Sequence, residues 1–114
     1  MTYAVIAPKR LMNQTVKPLV CFVTDDIEEA KKVAQSNRSA LEKKGFKSWA
    51  NKVRLVSPNT PDAYIDLANQ ALEMGKELDS NSNGNSFTGA NLIEWSNTLK
   101  VRADELANPE SYAD

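Results

Sequence analysis

Phe46 and Trp49 stand among Lys43, Lys44, Lys47, Lys52 and Arg54 in the segment KKGFKSWANKVR. Aromatic rings stack on nucleobases and cations neutralise phosphates, so this mixture could read single-stranded nucleic acid. The same residues also alternate as a strand does. Trp49, Val53 and Leu55 fall on one side, with Ser48, Ala50, Lys52 and Arg54 on the other and Asn51 as the exception. On a strand the ring and the cations point to opposite faces, and Trp49 becomes a core residue. No RNP-like aromatic pattern or GXXG loop accompanies the segment. The strand is therefore the expectation, with Trp49 inside.

Other chemistry is limited by what is missing. The sequence contains no histidine, so Ser-His-Asp and Cys-His arrangements and the usual Cys/His zinc sites cannot be assembled. The single cysteine, Cys21, lies in the apolar run PLVCFV and reads as a buried, inert thiol. The acids of DDIEE could suggest a metal or an acid–base pair, but acids at a helix start complement the helix dipole, and no EF-hand loop follows. In DSNSNGNSFTG, an anion near Ser86, Thr88 and Gly89 is weighed against a polar connector that ends in a helix cap. The connector is preferred, because neither GxxxxGK[ST] nor GxGxxG occurs. No catalytic residue, no cofactor and no metal is expected, and the chain reads as non-enzymatic.

Charge is the feature that does point somewhere. Residues 1–54 hold eleven Lys/Arg and five Asp/Glu, a net of +6, whereas residues 55–114 hold three and ten, a net of −7. Within 31–54 the cations are Lys31, Lys32, Arg38, Lys43, Lys44, Lys47, Lys52 and Arg54, opposed by Glu42 alone. The acidic half carries Asp62, Asp66, Glu73 and Glu77 along one segment. Such asymmetry can mark a partner surface, unless folding mixes the halves.

These residues must be held by a scaffold, and a chain of 114 residues is sized for one domain. TYAVIA (2–7) and PLVCFVT (18–24) read as strands joined by a loop over 8–17. The second strand is apolar on both faces and is expected to be central. Residues 25–45 read as a helix capped by Asp25, with Glu28 completing a capping box, apolar residues at helical spacing and Gly45 as the stop. The third strand follows, and the first helix would carry a right-handed crossover to it. Thr60 and Pro61 open a second helix running to about Leu78. A mobile loop is expected at 79–87, then a third helix from about Gly89 to Leu106, with a frayed end from 108. The expected fold is α+β: a three-stranded mixed sheet with three helices, in the order β-β-α-β-α-α. A wholly antiparallel sheet of order 2-1-3 is the main alternative.

The functional expectation is a small cytoplasmic binding protein, of inhibitor or adaptor type, that docks electrostatically on a protein partner. Its candidate contacts are Lys31, Arg38, Lys43, Lys44, Lys47, Lys52 and Arg54 on the basic side, and Asp62, Asp66, Glu73 and Glu77 on the acidic side. A nucleic-acid-binding module using residues 31–54 is the alternative. Self-association through the opposite charges is a further possibility, and no membrane partner is expected.

Overall fold

A computed structural model describes residues 1–11, 13–81 and 87–109. The chain divides into two compact units, Met1–Ser57 and Pro58–Asp114.

The first unit is built on a sheet of three strands, β1 (Tyr3–Arg10), β2 (Val16–Thr24) and β3 (Arg54–Val56), in the order β2-β1-β3. Both pairings of β1 are antiparallel. The sheet is therefore antiparallel rather than mixed, and β1 is central rather than β2. Four consecutive buried residues, Ala4, Val5, Ile6 and Ala7, agree with this, since β1 is flanked by a strand on each edge. The apolar run of β2 has a different cause. Val5 pairs with Phe22 but Ile6 pairs with Val20, so Cys21 is the extra residue of a bulge that shifts the strand's alternation. Because β2 and β3 both run antiparallel to β1, they are parallel to each other, and the helical connection between them passes over β1 instead of joining neighbours.

That connection holds two helices, α1 (Ile27–Lys43) and the single-turn α2 (Lys47–Ala50). Ala34 of α1, Val5, Ala7 and Val53 form a buried cluster, with Cys21, Phe22, Val33, Leu41 and Leu55 packed against it. Asp26, not Asp25, is the cap of α1: its Oδ1 accepts from the N–H groups of Glu28 (3.0 Å) and Glu29 (3.5 Å). Asp25 accepts from the Thr2 hydroxyl at 3.3 Å, and the Thr24 hydroxyl donates to Glu29 at 3.2 Å. The acids of DDIEE are thus occupied with starting a helix. Gly45 ends it, at φ +87°. Gly45 N–H donates to the Glu42 carbonyl and Phe46 N–H to the Leu41 carbonyl, the paired bonds of a Schellman motif.

The expected third strand shrinks to its last residues. The reversal at Gly45 brings the chain into a helical turn, in which Ala50 N–H donates to the Phe46 carbonyl and Asn51 N–H to the Lys47 carbonyl. The alternation of residues 48–55 was imitated by a turn of helix followed by a short strand, and Asn51 marks the junction. Strand β3 then pairs Arg54 with Ile6, Leu55 with Val5 and Val56 with Ala4.

The second unit is a pair of helices, α3 (Pro61–Asn81) and α4 (Phe87–Ala107). Thr60 starts α3, its hydroxyl accepting from Ala63 N–H at 3.1 Å. Leu67, Ala68, Ala71, Met74 and Gly75 are buried on α3. A Cβ built on Gly75 would lie 2.8 Å from Ile93 Cγ1 and 2.9 Å from the Gly89 carbonyl oxygen, so the small residues of α3 are where α4 approaches closely. On α4, Gly89, Leu92, Ser96, Leu99 and Ala103 are buried. The expected stripe is rotated at its edge: Trp95 is half-buried, with Arg102 over its ring at 5.4 Å, and Leu106 is exposed. Of the expected loop at 79–87, residues 79–81 and 87 belong to helices, and 82–86 lie outside the described residues. Asn108 N–H still donates to the Asp104 carbonyl at 2.8 Å, and residues 110–114 lie outside the described part. No helix among the described residues is long and apolar enough to cross a membrane.

Candidate interaction surface

The boundary between the compact units falls where the charge changes sign. Residues 55–57 are uncharged, so the first unit carries the whole excess of +6 and the second the whole deficit of −7. All the basic candidates therefore lie in the first unit, and all the acidic ones lie on α3.

The basic candidates have different surroundings. Lys31 is exposed on α1 and lies 3.8 Å from Glu28, one turn away. An exposed pair of this kind contributes little. Arg38 is half-buried, and its Nη2 donates to the Val53 carbonyl at 3.1 Å. It ties α1 to the segment that leads into β3, which gives it a structural occupation. Lys43, Lys44 and Lys47 are exposed around the α1–α2 turn, and Lys52 and Arg54 are exposed at the start of β3.

The Schellman turn also sets the aromatic pair. Phe46 follows Gly45 directly, and Trp49 lies one helical turn further on. Their rings stack with centroids 5.3 Å apart and planes at 25°. Phe46 is 48% exposed and Trp49 is half-buried. A turn of helix thus places Trp49 against Phe46, in a segment that also carries the exposed Lys43, Lys44 and Lys47. The sequence signal for this was Gly45 itself, since a helix stop of the Schellman type fixes the direction of the next residue.

On α3, Asp62 and Asp66 are exposed, and Glu73 and Glu77 are half-buried. Gln70 Nε2 donates to Asp66 Oδ2 at 3.0 Å. Asp62 and Asp66 lie one turn apart, as do Glu73 and Glu77, with two turns between the pairs.

Cys21 donates its thiol to the Val5 carbonyl at 3.4 Å, and burial pushes the thiol pKa up to about 11, against a smaller opposing effect of Cys21's own backbone N–H. An uncharged thiol is a poor nucleophile. Among the described residues, no group of three or more Cys, Asp or Glu side chains could hold a metal ion. Comparisons with protein-family models, curated proteins and solved structures found no match.

Proposed function

We propose that the chain is a small non-enzymatic binding protein, of inhibitor or adaptor type, whose basic β-rich unit docks electrostatically on a protein partner. The observation that carries this reading is the coincidence of the charge boundary with the boundary between compact units. A unit of one sign steers encounter and sets orientation, raising association rate more than affinity. The half-exposed Phe46, stacked on Trp49, supplies the aromatic anchor that interfaces use at their centres. Asp62, Asp66, Glu73 and Glu77 offer a second contact to a basic surface on the same partner or on another copy of the chain.

A second reading has its own support. The Phe46–Trp49 stack, in a segment that carries the exposed Lys43, Lys44 and Lys47, also suits single-stranded nucleic acid. The test separates the two. Affinity capture from nuclease-treated lysate is run with the native chain and with a K43E/K47E/K52E/R54E variant. Anisotropy titrations with labelled oligonucleotides are run at low and moderate salt. Retention of a protein partner by the native chain, lost in the variant, supports protein docking. Steeply salt-dependent oligonucleotide binding with no retained protein transfers the function to the second reading.

A further inference from the structure

Strand β1 is eight residues long, but β3 pairs only with Ala4, Val5 and Ile6. The next β1 residue on that face is Pro8. It has no N–H to extend the ladder. The chain entering β3 diverges from β1 there, and an open cleft of about 380 Å³ lies between the end of the β1–β2 hairpin and the α2–β3 connection. Pro8 and Pro18, directly paired across the strands, and Val16 supply its apolar wall. Lys17, Lys52 and Arg54 supply its charge, with Asn51 as a further polar residue, and among the described residues no carboxylate lines it. Val16 is 41% exposed, although it sits in a strand.

We propose that this cleft is the docking point for an acidic peptide segment of a protein partner, in which an apolar side chain is flanked by carboxylates. This rests on the protein-docking reading and names its site. The volume falls within the range of small ligand sites, about 300–1,000 Å³. A bare inorganic anion would use the cations and leave the apolar wall wet. A neutral apolar segment would bury that wall and bring no charge to meet the exposed Lys52 and Arg54. A segment with both features satisfies both halves of the lining. The rigid proline rings lose no side-chain entropy on contact, and the guanidinium of Arg54 presents a fork that matches a carboxylate.

The test uses the full chain, labelled with ¹⁵N, titrated at low salt with the peptide Glu-Glu-Leu-Glu-Glu. The expected result is that amide shifts concentrate at Val16, Lys17, Asn51, Lys52 and Arg54. In K52E/R54E, whose altered side chains are exposed, the affinity falls at least ~10-fold, as loss of two close charge contacts implies. In K43E/K44E/K47E, whose charges lie outside the cleft, it stays within about threefold, the residue of long-range attraction. Shifts centred on residues 43–49, or equal losses in the two variants, overturn the cleft while leaving electrostatic docking in place. No peptide binding at low salt also overturns it. If an oligonucleotide then binds the same sample, the protein-docking reading falls as well.

Discussion

Replacing Gly75 by alanine sets two known effects against each other, and the structure decides which is larger. In the middle of a helix, alanine is favoured over glycine by about 1 kcal/mol, because glycine loses more backbone freedom on folding. That term alone would stabilise α3. The new Cβ, however, would lie 2.8 Å from Ile93 Cγ1, 2.9 Å from the Gly89 carbonyl oxygen and 3.3 Å from Ile93 N. Ile93 Cγ1 is bonded directly to the branched Cβ and yields only by a change of rotamer, and the two backbone atoms move only if α4 moves. Overpacking of this kind costs about 1–3 kcal/mol. With backbone on the far side of the clash, the upper half of that range applies, and the net effect is a destabilisation of about 1–2 kcal/mol. The assay is urea unfolding of the second unit in a W49F background, where Trp95 is the remaining indole, with native Gly75 as reference. The midpoint should fall without a change in slope. A raised midpoint would refute the close approach of α3 and α4, because the propensity term would then be acting unopposed.

Two further outcomes test the first unit. Asp26→Ala removes the acceptor for two helix N–H groups and should lower stability by about 1 kcal/mol, whereas Asp25→Ala should cost less. Equal losses in urea unfolding would contradict the placement of the cap. Cys21, held protonated up to about pH 11, should carry roughly a hundredfold fewer thiolates at pH 8 than a thiol of pKa 9.0. Alkylation should be correspondingly slow, and a rate equal to that of a free thiol would refute the burial. The sign for stability follows: the folded chain holds this proton more tightly than the unfolded one. The thiol's contribution is therefore complete below about pH 9 and declines as the pH rises through about 11.

Much of the scaffold was legible where local rules act alone. Gly45 as helix stop, Thr60 with Pro61 as helix start and the apolar runs of β1 and β2 each follow from one or two residues and their neighbours. The errors arose where two local rules shared the same letters. Residues 48–55 alternate as a strand does, yet residues 47–50 close a helical turn, because the geometry of the preceding Schellman motif is already fixed. The two-sided apolar run of β2 indicated a central strand, but a bulge at Cys21 produces the same run on an edge. Asp25 and Asp26 are equally good caps by type, and Thr24 decides between them by accepting from Asp26 N–H at 3.1 Å. For the surface, the cations were evident as a list, but their separation from the acids by compact unit was not. Pro8, Val16 and Lys17 read as loop and Pro18 as strand from the sequence. Two prolines in adjacent strands were the available signal of an irregular sheet edge.

Segregated charge has a practical result at the bench. A chain with net charge −1 and an isoelectric point near 5.5 would be assigned to an anion-exchange resin at neutral pH. Its resin behaviour should instead follow the unit that meets the matrix. The exposed lysines of Met1–Ser57 give a sulfonate matrix a cationic patch to hold, and the acids of α3 give a quaternary-amine matrix an anionic one. Retention on both at one pH, with elution from each by modest salt, would be the chromatographic signature of a molecule whose average charge describes neither of its parts.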